Sequence, residues 1–84
     1  MKYLKTVPEC FCWKEHGGMY GTAGIPDIIC CYRGKFVAFE VKTETGKTTA
    51  LQESVINKIQ KCGGKAAVVR SVENVKAALK EMVV

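Results

Sequence analysis

The sequence predicts an α/β domain in which a mixed central β-sheet is flanked by helices. Three observations carry this expectation. Two apolar, strand-like runs, 27–32 and 35–42, are separated only by Arg33-Gly34, a two-residue hairpin turn with glycine in its second position. Apolar residues recur at helical spacing after residue 50 and again after residue 71. Between these two helices lies a short aliphatic run, Ala66-Ala67-Val68-Val69, suited to a buried strand.

The elements follow in order. Residues 1–8 predict a short helical turn or an extended arm, closed by Pro8. Residues 9–16, with Cys10, Phe11, Cys12 and Trp13, predict a strand rich in aromatics. Phe11 and Trp13 are expected in the core rather than as base-stacking platforms. Segment 17–24 carries four glycines in eight residues and reads as a loop. In the hairpin, pairing Tyr32 with Lys35 brings Asp27 directly across from Glu40; a slip of one residue would send the two carboxylates to opposite faces. A polar turn over 43–48 leads into a helix from about Ala50 to Cys62, with Leu51, Val55, Ile56, Ile59 and Cys62 on its apolar stripe. Thr49 can cap its start and Gly63-Gly64 its end. A strand over 65–70 follows, then a helix capped by Ser71 whose apolar face is Val72, Val75, Leu79 and Met82. The expected order is β–β–β–α–β–α.

Composition bounds the function. With 84 residues the chain predicts a single domain over 1–84, and a core that small is marginal without a metal, a disulfide or a second subunit. A homo-oligomer is therefore expected. An apolar fraction of 48% argues against disorder. The net charge of +5 rests on eleven lysines and two arginines, a surplus that suits phosphate without conferring sequence specificity. The five cysteines match no common zinc spacing, and their odd number, with no secretory leader, points to reduced thiols in a cytoplasmic compartment. A thiol metal site of Cys10, Cys12 and Cys62 is the weakest of the functional readings. No run approaches the ~18 apolar residues of a membrane span, so no membrane association is expected.

The chemistry concentrates at Ile25-Pro26-Asp27 and Glu40-Val41-Lys42. Glu40 and Lys42 are two apart on one strand and share a face, with Val37, Phe39 and Val41 expected on the other. Inside an apolar strand such charges are costly unless paired, solvated or bound to a metal. A surface Glu–Lys pair is the plain alternative for Glu-x-Lys alone; the hairpin tips the balance by setting Asp27 beside Glu40. Two adjacent carboxylates repel, and a divalent cation between them removes that penalty. An oxygen-only set of Asp27, Glu40 and the Val41 carbonyl favours Mg²⁺ or Mn²⁺. Such an ion suits phosphodiester hydrolysis, because it polarises the phosphate and lowers the pKa of a bound water. Lys42 would stand beside that water and stabilise transition-state charge.

Gly24-Ile25-Pro26-Asp27, twelve intervening residues, Glu40-Val41-Lys42, and then Gln52 on the next helix resemble the virus-type replication-repair nuclease (VRR-NUC) domain, a branch of the PD-(D/E)XK superfamily. The likeness continues through Gly46-Lys47, Gly63-Gly64 and Val68-Val69 and covers roughly residues 13 to 76. It implies a restriction-endonuclease-like PD-(D/E)XK core, with Asp27 and Glu40 as metal ligands, Lys42 as the catalytic lysine and Gln52 as an active-site helper. For Gln52 a capping box with Thr49 is the competing role. The resemblance also implies a DNA endonuclease acting on branched DNA in the manner of Holliday-junction resolvases, as a homodimer, without a small-molecule cofactor. A compact nuclease of this kind suits a bacterial or phage-infected cytoplasm. The superfamily usually adds an acidic residue from an N-terminal helix; residues 1–8 contain none, and Glu9 and Glu15 are the nearest substitutes. That departure motivates the alternative, a non-catalytic nucleic-acid-binding module that keeps the fold. Lys14, Tyr20 and Lys47 are the candidate nucleic-acid contacts, Tyr20 by stacking; Lys35 is a further backbone candidate, and His16 reads as an exposed loop residue.

Overall fold

The computed structural model describes residues 1–15 and 23–82. In chain order the elements are α1 (Lys2–Thr6), β1 (Cys10–Lys14), β2 (Ile28–Tyr32), β3 (Lys35–Val41), α2 (Ala50–Lys61), β4 (Lys65–Val69) and α3 (Val72–Glu81). The strands form one sheet in the order β1-β2-β3-β4, antiparallel except for the parallel β3–β4 pair. The mixed α/β sheet is as the sequence predicts, and of the two alternatives for residues 1–8 the short helix is the one formed.

The hairpin has the expected register, Tyr32 on Lys35 through Ile28 on Phe39. Arg33 and Gly34 both have positive φ, 51° and 82°. That is the backbone twist a two-residue turn needs to join right-twisted strands. Arg33 holds this conformation without glycine's freedom because two contacts anchor it. Its N–H donates to the Glu9 carbonyl at 2.9 Å, and its Nε meets Glu9 Oε2 at 3.3 Å.

Alternation along the strands sorts side chains onto two faces. On one, Ile29, Ala38 and Ala66 pack against Ile56 of α2, with Ile25, Ile59 and Val68 at the margin. On the other, Ile28, Cys30, Tyr32, Val37, Phe39 and Val69 meet Leu4 of α1 and Val75, Ala78 and Leu79 of α3. Three layers result, with β3 buried at the centre: Val37, Ala38 and Phe39 have no exposed surface.

The cover stops short at the margins, which corrects several expectations. α2 packs along β4 and leaves the outer face of the edge strand β1 bare. Phe11 (71% exposed) and Trp13 (42%) therefore stand in solvent, their rings 5.7 Å apart, rather than in the core. Val41, at the end of β3, is exposed, as are Leu51 and Val72. Among the described residues no helix is long and apolar enough to cross a membrane.

Candidate active site

Glu40 is the one charged residue in the buried core of the described chain, 3% exposed. It lies on the α2 face because Ala38, two residues earlier, does. The hairpin register, continued one step past Ile28–Phe39, sets Asp27 opposite Glu40. Asp27 is held there by the neighbouring strand: the Val41 N–H donates to Asp27 Oδ2 at 3.0 Å. The Val41 carbonyl, expected as a further oxygen ligand, belongs to the peptide that joins Val41 to Lys42.

The approach to Asp27 explains the residues before it. Gly24 has φ of 82°, and a Cβ there would lie 2.8 Å from the Leu51 side chain and 3.2 Å from the Leu51 carbonyl. Only glycine lets the chain pass this close beneath the first turn of α2. Ile25 then enters the α2-side core and Pro26 is fully buried, so the strand begins with Asp27 at a fixed position.

Gln52 forms the capping box and also reaches Glu40. Its Oε1 accepts from the Thr49 N–H at 3.0 Å, and the Thr49 hydroxyl accepts from the Gln52 N–H at 3.1 Å, which completes a capping box. With Oε1 occupied by a donor, the amide nitrogen turns inward and donates to Glu40 Oε1 at 3.2 Å. Lys42 Nζ stands 3.8 Å from the same oxygen. Both partners thus address Oε1, and Glu40 Oε2 is buried with no hydrogen-bond partner. Burial foremost, and then the Asp27 carboxylate, push Glu40 above the usual carboxylate range, while Lys42 pulls the other way.

An orphaned, buried carboxylate oxygen beside a second carboxylate is the environment a hard cation would relieve, and the donors are all oxygen. The residues present fit Mg²⁺ or Mn²⁺. Sequence reasoning left Glu9 and Glu15 as possible third acids, and the structure separates them. Glu9 turns to Arg33 at the far end of β1. The Glu15 N–H donates to the Asp27 carbonyl at 2.7 Å and so continues the β1–β2 ladder. Its side chain follows Phe11 and Trp13 onto the α2 face, which sets Glu15, Asp27 and Glu40 in a row by register, without bringing all three carboxylates within 4.8 Å of one another. Trp13 Nε1 donates to Glu15 Oε2 at 3.0 Å. The alternation of β1 past Cys12 was the signal in the sequence for this placement.

Arg70 is a second residue the sequence did not single out. Its guanidinium donates to the carbonyls of Thr43 (2.5 Å) and Gly46 (2.6 Å), and the Lys42 N–H donates to the Val69 carbonyl at 3.0 Å. Together they fix the chain that follows Lys42. Lys14 lines a cavity of about 460 Å³ with Asp27, Ile28, Val41 and Met1. Lys47 is exposed on the segment before α2, whereas Lys35 lies at the hairpin end of β3, away from the acidic row. Tyr20 and His16 lie outside the described residues. The thiol set differs from expectation: Cys62 is exposed beyond α2, and it is Cys30 that joins Cys10 and Cys12. Searches of family models, curated proteins and solved structures return no match for this chain.

Proposed function

We propose that this chain is a Mg²⁺-dependent DNA endonuclease of the VRR-NUC type, with a PD-(D/E)XK core, acting on branched DNA as a homodimer. The observation that carries the proposal is the buried Glu40 carboxylate, unpaired at Oε2 and faced by Asp27. A merely structural ion pair would satisfy both oxygens. The chain instead keeps a costly anionic pocket beside a lysine.

Asp27, Glu40 and the Val41 carbonyl would hold the ion, with Glu15 next in the row. Bound Mg²⁺ would neutralise the phosphate and acidify a water. The remaining work belongs to the protein. Gln52 fixes the Glu40 carboxylate through Oε1 and leaves Oε2 for the ion. The Val41 N–H holds Asp27 in register. Lys42, 20% exposed, sits at the boundary between core and solvent, where its ammonium can donate to a non-bridging phosphate oxygen as negative charge grows there. Lys14 and Lys47 contribute positive charge along a DNA backbone. Water attacks phosphorus and the opposite P–O bond breaks, so one water is consumed per strand cut.

The test is cleavage of linear, forked and four-way DNA by purified protein with Mg²⁺ or Mn²⁺. Cleavage abolished by Asp27→Ala and by Glu40→Ala is the expected result. Salt-dependent DNA binding with no cleavage and no Mg²⁺ binding by calorimetry would replace the proposal with a non-catalytic binding module. Sedimentation at micromolar concentration tests the dimer separately.

A further inference from the structure

On the sheet face opposite the acidic row, β1 and β2 bring three thiols together. Cys12 and Cys30 are direct cross-strand partners. Cys10 is two residues before Cys12, on the same face and diagonal to Cys30. The three Sγ atoms all lie within 4.8 Å of one another. Cys30 is fully buried, while Cys10 and Cys12 are half-buried along the open edge of the sheet. The other two cysteines, Cys31 and Cys62, are exposed and outside the cluster, so the convergence is not a general consequence of cysteine content.

We propose that Cys10, Cys12 and Cys30 form a thiolate site for one Zn²⁺ ion. Zinc–thiolate bonds of about 2.3 Å hold three sulfurs about 3.8–4.0 Å apart, so the cluster closes with shifts of about 1 Å or less shared among three side chains. Soft sulfur donors select a thiophilic cation and reject Mg²⁺, which separates this site chemically from the oxygen row. Three thiolates leave a net −1 on Zn²⁺ but −2 on Cu⁺, and the neighbours Leu4, Tyr32 and Val37 are poor solvents for the larger charge. Because Cys10 and Cys12 are only half-buried, a water from solvent could complete the coordination. The bound ion would tie the edge strand β1 to β2 at the base of α1, a staple suited to a core this small.

The thiols release their protons on binding, so affinity rises with pH. Burial, chiefly, raises the Cys10 and Cys30 thiols above their ordinary range, which lowers affinity at a given pH and extends the pH range over which it rises. The site does not depend on the nuclease reading.

The test is titration of the reduced, chelator-treated full chain with Zn²⁺ against a chromophoric competitor, alongside Co²⁺ absorption, in which sulfur-to-metal charge transfer reports thiolate and not carboxylate donors. One equivalent of Zn²⁺, a charge-transfer band with Co²⁺, and retention of both in Asp27→Asn and Cys62→Ser are expected. Cys10→Ser and Cys12→Ser, both at half-buried positions, should each weaken Zn²⁺ by more than the ~10–100-fold typical of outer-shell changes. Circular dichroism checks that they fold. Absence of Zn²⁺ binding, or binding that survives both variants, would overturn the proposal.

Discussion

Replacing Glu40 with glutamine should stabilise the metal-free protein while destroying its affinity for Mg²⁺. The magnitude follows from the charges around the carboxylate. Lys42, 3.8 Å away, attracts it by about 4 kcal/mol at an effective dielectric near 20. Asp27, facing Glu40 from the adjacent strand, is the stronger of the two charged influences and opposes this by at least as much. The two at best cancel, and the desolvation cost of an anion, several kcal/mol, remains largely uncompensated. Glutamine keeps the shape and can still accept from Gln52 through its carbonyl oxygen, so only the charge is lost. A net gain of about 1–2 kcal/mol is expected after partial solvent relief through the exposed Lys42 side. For a domain of this size that raises the unfolding temperature by about 4–8 °C per kcal/mol. The assay is thermal denaturation in chelator at neutral pH, repeated with Mg²⁺. Mg²⁺ should raise the wild-type transition and leave Glu40→Gln unmoved. A variant that melts lower than wild type in chelator, or that Mg²⁺ stabilises equally, would refute the reasoning, because Glu40 would then be a satisfied structural ion.

Three further outcomes follow from the same contacts. Because the folded state raises the Glu40 pKa, its stabilising contribution is complete below the ordinary value of 4.5 and is lost as pH rises through the folded value. The metal-free unfolding temperature should therefore fall as pH climbs above 4.5, and Glu40→Gln should flatten that slope in a pH series of melts. Gln52→Glu preserves the capping box but sets a carboxylate against Glu40 Oε1; helix content by circular dichroism should hold, while stability at pH 8 falls by about 1–3 kcal/mol and recovers on acidification. Arg70→Ala removes the donors to the 43–46 turn and should cost about 1–3 kcal/mol in denaturant melts; Arg70→Lys should recover only part, since one ammonium cannot reproduce the planar fork.

The hairpin and its register were legible because a two-residue turn with glycine leaves few ways to pair the flanking strands, and alternation then sets Asp27 beside Glu40. Helix α2 was legible through its cap at Thr49 and its glycine stop, where Gly63 takes φ of 92°. What escaped the sequence was tertiary coverage. Phe11, Trp13 and Val41 have the composition of core residues, but whether a helix lies over them depends on where α2 and α3 end relative to the sheet margin. Cys30 could not be grouped with Cys10 and Cys12 before the β1–β2 pairing was known. The contact from Gln52 to Glu40 was not legible beside its capping box, because a sequence does not reveal that one amide uses both of its ends.

The hydrogen bond from the Val41 N–H to Asp27 makes a single backbone amide a reporter for the whole acidic row. Where a carbonyl would normally complete the strand ladder, a titratable side chain does so instead. Any event that draws charge from that carboxylate loosens its grip on the proton of this one amide. In a ¹H–¹⁵N correlation spectrum the Val41 resonance should therefore move on adding a diamagnetic divalent ion, and its solvent exchange should quicken, while the neighbouring Ala38 and Phe39 amides in the interior of the ladder stay still. Ion occupancy and strand fraying could then be followed at one peak, without a substrate and before any DNA structure has been chosen.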